Sequence, residues 1–262
     1  DFTLASGKAV DFGIALAEAG RSNITLLHVY EDGDMTPDEC EFKLKSLTEK
    51  ACSGRDILCD HVLEKGNIFN VIPGLSSTGA FRMVVMGTHG RRGLRRKFFG
   101  PDILKVIKKI PVPVLVVQEG ARMPSGGFKT ALFPVGSHDA YTKIIDAVIF
   151  IAGLFDPEVH LYSISKSGFE QGEKLRENIG MAEKSFSAKG IRYKRVKEDQ
   201  KVFSVGFAKQ SLNYAAHAGA DLIAIMSNPT RENYYFADND KEAILTNDLN
   251  IPVLCASNAT VS

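Results

Sequence analysis

The chain repeats itself, and no other feature limits its fold as strongly. Shifted by 135 residues, "DFTLASGKAVDFGIALAEAGRSNITLLHVY" (1–30) lies on "GSHDAYTKIIDAVIFIAGLFDPEVHLYSIS" (136–165), so that Lys8 meets Lys143, Asp11 meets Asp146 and Leu26 meets Leu161. Both copies carry apolar residues at helical spacing and then a short β-rich run, "ITLLHVY" or "VHLYSI". At a shift of 139, "MVVMGT" (83–88) lies on "LIAIMS" (222–227), and "PVLVV" (113–117) lies on "PVLCA" (252–256). One fold is present twice.

Between these anchors each copy has a second amphipathic helix, around 36–53 and 169–189. A strand follows near "ILCDHVLEKG" or "IRYKRVKED", and then a third helix. Strands alternating with helices, the strands apolar along their length, predict α/β domains built on a parallel sheet with helices on both faces. The second copy opens with a strand, "KTALFPV" (129–135); its counterpart in the first copy would lie ahead of Asp1, so the given sequence is expected to begin inside its first domain. The segment "QEGARMPSGGF" (118–128) reads as a connection. The expected division is a first domain over 1–118, a linker over 119–128 and a second domain over 129–262. A length of 262 residues suits two domains of ordinary size.

A net charge of +1 means that affinity for nucleic acid or membrane would have to come from a local patch. No apolar run nears the roughly 18 residues of a membrane span, and the first residues lack a signal-peptide core. The four cysteines, Cys40, Cys52, Cys59 and Cys255, have no CxxC spacing, so no disulfide framework is expected and the location is read as the cytoplasm. The histidines form neither HExxH nor a Cys/His ligand set, and the Ser and His of "GSHD" (136–139) are sequence neighbours, not a triad. No general base stands out beside the glycine loop described next, so binding is expected rather than catalysis.

The stretch "VVMGTHGRRGLRRKFFGPDILKVI" (84–107) carries the chemistry. Gly87 stands at the carboxyl end of a strand, where ligands of open parallel sheets collect, and Gly100 precedes a helix whose first N–H groups are free. The spacing Gly87, Gly90, Gly100 is neither a Walker A loop nor GxGxxG. Arg91, Arg92, Arg95, Arg96 and Lys97 read either as phosphate ligands or as a solvated basic loop; no interleaved exposed aromatics accompany them, and nucleic acid is not the expected partner. Phe98 and Phe99 are expected to pack on the sheet.

This stretch, with "ITLLHV", the "DFT" opening and the closing "IPVPVLVV", resembles the universal stress proteins in their tandem form. Nucleotide-binding members carry G-x2-G-x9-G followed by Ser or Thr. The resemblance implies two tandem doubly wound, Rossmann-like domains of the adenine nucleotide alpha hydrolase type forming a pseudo-dimer, and a role in stress response. It implies ATP, with magnesium, in the first domain. Asp1 and Val29 would flank adenine and ribose, Met86 and Gly87 would lie by the ribose, and Gly90, Arg91, Gly100, Pro101 and Asp102 would surround the phosphates. Pro101 departs from the pattern, since it offers neither hydroxyl nor N–H, although it suits a first helical position. Asp102 adds negative charge beside the phosphate site, which calls for a metal.

The second copy departs further. Met226, Pro229, Asn239 and Asp240 stand where Gly87, Gly90, Gly100 and Pro101 do, and the loop "SNPTRENYYFADNDKE" (227–242) is acidic on balance. No nucleotide is expected there, and Tyr234, Tyr235 and Phe236 are expected to fill the vacated crevice. The closing strands, apolar and at risk as exposed edges, are expected to pair within the chain through Val114, Val116, Val253 and Cys255. Two readings of function stand: a stress-response regulator with a degenerate adenine nucleotide site, or a partner-binding module of the same fold that has abandoned nucleotide.

Overall fold

The computed structural model describes residues 1–33, 35–88, 103–165, 172–199, 206–230 and 237–260. Seventeen elements alternate along them: α1 (Leu4–Gly20), β1 (Ile24–Tyr30), α2 (Pro37–Cys52), β2 (Cys59–Lys65), α3 (Ile68–Ser76), β3 (Val84–Thr88), α4 (Ile103–Ile107) and β4 (Val114–Gln118), then β5 (Thr130–Pro134), α5 (Thr142–Phe155), β6 (Glu158–Ser165), α6 (Glu173–Ala188), β7 (Tyr193–Asp199), α7 (Phe207–Ala218), β8 (Leu222–Met226), α8 (Asp238–Leu245) and β9 (Val253–Ala256).

Local chemistry sets the helix ends. Thr3 caps α1, its hydroxyl accepting from the Ser6 N–H, and Arg21 closes the helix in the left-handed region at φ 46°. At α2, Thr36 and Glu39 form a reciprocal capping box and Pro37 takes a first-turn position, where its missing N–H costs nothing. Buried Cys40, Leu44, Thr48 and Ala51 then run down one face of α2.

Seven strands form one sheet in the order β3-β4-β9-β8-β5-β6-β7. Every neighbouring pair is parallel except β4 and β9, which run antiparallel with Val114 opposite Cys255, Leu115 opposite Leu254 and Val116 opposite Val253. Because side chains alternate along a strand, β4 feeds two cores. Leu115 and Val117 join Phe12 of α1, Val148 of α5 and Phe186 of α6, while Val114 and Val116 join Ile107 of α4, Ala215 of α7 and Leu245 of α8. The sheet is thus covered on both faces.

The ends of the two edge-to-edge strands are tied across reciprocally. Gln118, ending β4, donates Nε2–H to the Leu245 carbonyl at 2.8 Å, and Ser257, just after β9, donates its hydroxyl to the Ile110 carbonyl at 2.6 Å. Each satisfies a carbonyl at or just beyond a helix C-terminus. Lys108 meets Asp238 at 2.6 Å. The connection between the copies is itself packed: Ala121 and Phe128 are buried, and Phe128 sits between Phe12 and Phe155.

The strand order of the copies differs at one point. In the second, β5 lies between β6 and β8. In the first, β1 and β2 pair with each other in parallel from Ile24 opposite Cys59 to Tyr30 opposite Lys65, and among the described residues no strand joins β1 to β3. The first turn of α1 instead lies directly against β3. A Cβ added to Gly87 would stand 2.2 Å from the Ala5 carbonyl oxygen and 2.7 Å from the Ser6 nitrogen.

The cysteine expectation needs correction. Cys52, the last residue of α2, and Cys59, the first of β2, form a disulfide with their Cα atoms 6.1 Å apart. The chain leaves a helix and re-enters a strand that packs beside it, and that return brings the two positions within bridging range. Cys40 and Cys255 are free and buried. Among the described residues no helix is long and apolar enough to cross a membrane.

Candidate functional site

Of the residues assigned to the nucleotide site, Asp1, Val29, Met86 and Gly87 lie on described backbone, at the start of the chain before α1 and at the carboxyl ends of β1 and β3. Phe2 stacks on His28 with ring centroids 4.3 Å apart, which brings Asp1 to the end of β1 and so to Val29. Ala5 and Ser6 abut Gly87, which brings the same turn to Met86. Asp1 Oδ1 accepts from the Thr3 N–H at 3.1 Å and from the Thr3 hydroxyl at 2.8 Å; its second oxygen has no partner among the described residues. Val29 is half-buried, and Met86 is buried opposite Val116. Gly90, Arg91, Gly100, Pro101 and Asp102 lie outside the described residues, as do Arg92, Arg95, Arg96, Lys97, Phe98 and Phe99.

Gly87 has a packing reason of its own. The space its side chain would take is held by α1 backbone, which cannot withdraw without moving the first turn. Of the positions implied by resemblance, Gly87 is thus covered by α1 backbone as the fold stands.

Sequence reasoning missed the ring pair Phe2–His28, over which Lys43 places its ammonium 5.8 Å from the Phe2 ring centre. Burial holds the His28 imidazole down at about 4, so the ring is neutral near pH 7. His28 Nδ1 is buried and has no hydrogen-bond partner among the described residues. The edge thus holds a buried, unpaired ring nitrogen, a carboxylate oxygen and an aromatic stack. Among the described residues no group of three or more His, Cys, Asp or Glu side chains is placed to hold a metal ion.

The matching edge of the second copy is plugged. A Cβ on Gly136, the counterpart of Asp1, would lie 2.7 Å from His138 Cε1 and 3.4 Å from Thr230 Cγ2. His138 is 1% exposed and stacks toward Tyr141, which lies parallel to Phe133 with centroids 5.5 Å apart. Asn178 of α6 fixes the turn from the other side, its Nδ2 donating to the Gly136 carbonyl at 2.8 Å and the His138 carbonyl at 2.9 Å. From the first turn of α8 comes Lys241, 0% exposed, donating to the Asn228 carbonyl at 2.7 Å and lying 3.6 Å from Asp238.

Burial first, and the Lys241 charge second, hold His138 down at about 3. Burial brings the Lys241 amine down to about 8. Tyr234, Tyr235 and Phe236, expected to fill this crevice, lie outside the described residues; His138 and Lys241 occupy its floor. Lys241 reads as solvated within "DNDKE", yet it shares a helix face with Ile244 and Leu245, three and four residues on, and that spacing is the signal that would have placed it inward.

The sequence model of the universal stress protein family matches residues 1–118. A search of curated protein sequences found no match. Among solved structures, a universal stress protein from Archaeoglobus fulgidus DSM 4304 is similar over 99% of this chain and 96% of its own, with 16% identity and a TM-score of 0.74. A putative universal stress protein from Pseudomonas aeruginosa UCBPP-PA14 is similar over 96% of this chain and 88% of its own, with 17% identity and a TM-score of 0.60. A protein of unknown function from Pseudomonas aeruginosa PAO1 aligns to the same extent, with 17% identity and a TM-score of 0.60. The family model thus accounts for residues 1–118, and over nearly its whole length the chain shares the fold of a universal stress protein.

Proposed function

We propose that the chain is a stress-response regulatory protein with one adenine nucleotide site, in its first half, and none in its second. The observation that carries this reading is the contrast between the two matching edges. The first leaves His28 Nδ1 and an Asp1 oxygen unpaired beside an aromatic stack, and the second is filled by His138, Thr230 and Lys241. ATP with magnesium is the nucleotide of this proposal: the nucleoside meets Asp1 and Val29, and the loop carrying Gly90, Arg91, Gly100, Pro101 and Asp102 takes the phosphates. The halves 1–118 and 129–262, joined through 119–128, act as a pseudo-dimer whose seam is the β4–β9 ladder.

Pro101 weakens the phosphate grip in this reading, because a hydrogen bond to a charged group is worth about 1.5 to 3 kcal/mol. Pro101→Ser is expected to tighten ATP by about 10- to 100-fold and to leave adenosine nearly unchanged, both read by isothermal titration on the full chain. Equal ATP affinity in the two proteins would place residue 101 away from phosphate. A second reading, a partner-binding module without nucleotide, is favoured by one observation: α1 already occupies the space beside Gly87 where a ribose would approach. No ATP binding in either protein would select it.

A further inference from the structure

We propose that Cys52 and Cys59 are a reversible thiol-oxidation site that fastens α2 to β2. The pair closes the exposed turn 53–58 between the last residue of a helix and the first residue of a strand, and both cysteines are half-exposed. A small disulfide such as oxidised glutathione can reach them, whereas Cys40 and Cys255 are 1% and 0% exposed. Burial also pushes the Cys255 thiol well up, which keeps it protonated and unreactive. Reactivity is thus confined to the one pair whose geometry permits a bridge.

The position gives the bond its effect. It closes the turn between α2 and β2, whose ladder with β1 begins at Cys59 opposite Ile24. Side-chain ties run between the same elements. They include His61 to Glu41 at 2.8 Å, and Arg55, whose Nε donates to the Ala51 carbonyl at 3.0 Å while its guanidinium meets Glu18 at 2.6 Å. All are exposed or partly so, and a covalent link across the turn therefore changes its opening more than any of them does.

The exchange balances without a further reactant. One cysteine thiolate attacks oxidised glutathione, forming a mixed disulfide and releasing one glutathione thiolate. The second cysteine thiolate attacks the protein sulfur of that mixed disulfide, closing the Cys52–Cys59 bond and releasing the second glutathione. The protein loses two electrons, one molecule of oxidised glutathione gains them, and excess reduced glutathione runs the sequence backwards.

The test equilibrates the full chain in glutathione buffers of graded ratio, traps thiols with iodoacetamide under native conditions and maps the peptides. The oxidised protein is expected to be about 2 Da lighter than the reduced one before alkylation. Cys52 and Cys59 should become labelled together as the buffer turns reducing, with Cys40 and Cys255 unlabelled throughout. Tryptic cleavage after Arg55 should quicken by about tenfold or more on reduction, since cutting follows the population of opened turn. A double variant, Cys52→Ser with Cys59→Ser, should cleave at one fast rate in every buffer, and its far-ultraviolet spectrum shows whether it is folded. Labelling of the pair that ignores the glutathione ratio would overturn the proposal, as would a bond that native reducing buffer cannot open or a cleavage rate equal in both states.

Discussion

Gly87→Ala decides whether the glycine at the end of β3 serves the fold or a ligand. The added methyl would stand 2.2 Å from the Ala5 carbonyl oxygen and 2.3 Å from its carbon, both backbone atoms that no rotamer change can move aside. An ordinary contact needs about 1 Å more, so the first turn of α1 has to lift off the sheet, with Ala5 at 2% and Ala9 at 7% exposure losing contacts. Overpacking of this kind costs about 1 to 3 kcal/mol, and a rigid backbone neighbour puts the figure near the top, about 3 kcal/mol. For a chain of this size that is a fall of about 6 to 12 °C in Tm. Urea unfolding followed by circular dichroism, with no nucleotide present, reads the loss. Gly153→Ala, in the interior of α5 with no atom within 4 Å of its added Cβ, is the control and is expected to gain about 0.4 to 1 kcal/mol. If Gly87→Ala unfolds within about 0.5 kcal/mol of the parent, α1 does not press on β3 and the packing argument is wrong.

The plugged edge of the second half yields two more expectations. His138 titrates at about 3 in the fold against an ordinary 6.5, with Lys241 and Asp139 as the charged groups acting on it, so protonation favours the unfolded chain. Its contribution is complete above about pH 6.5 and shrinks as pH falls toward 3, by about 3 kcal/mol at pH 4.5; His138→Gln should flatten that part of the stability profile, and an unchanged slope would show that another group carries it. Lys241→Ala should destabilise by about 3 kcal/mol, because it empties a fully buried stem and leaves the Asn228 carbonyl without its donor, whereas Lys241→Met, which refills the space, should recover more than half of the loss in the same urea assay. Equal losses in the two variants would mean that the amine, not the stem, holds the crevice.

Much of the fold was legible because it rests on local pattern repeated twice. The alternation of helical and strand periods in "ASGKAVDFGIALAEAG" and "ITLLHVY", found again at a fixed shift, already implied the parallel layers that the strand registers display. What escaped depends on distance in space. Nothing near Cys52 or Cys59 announces a bridge until α2 is known to end at one and β2 to begin at the other. The inward turn of Lys241 was hidden by the charges flanking it, and the stacking of Phe2 on His28 joins residues on separate elements. At Gly87 the sequence marked a position that admits close backbone, and in this fold the backbone that comes close belongs to α1.

The central claim is that one edge of this two-copy protein holds an adenine nucleotide and the other cannot. Isothermal titration of the full chain with ATP and magnesium tests it most directly, with the stoichiometry as the decisive reading. One ATP per chain is expected, lost in Val29→Asp, which sets a carboxylate where the nucleoside would lie, and retained in Lys241→Met. Two nucleotides per chain, or one whose binding responds to Lys241→Met and not to Val29→Asp, would contradict the assignment of the open and plugged edges.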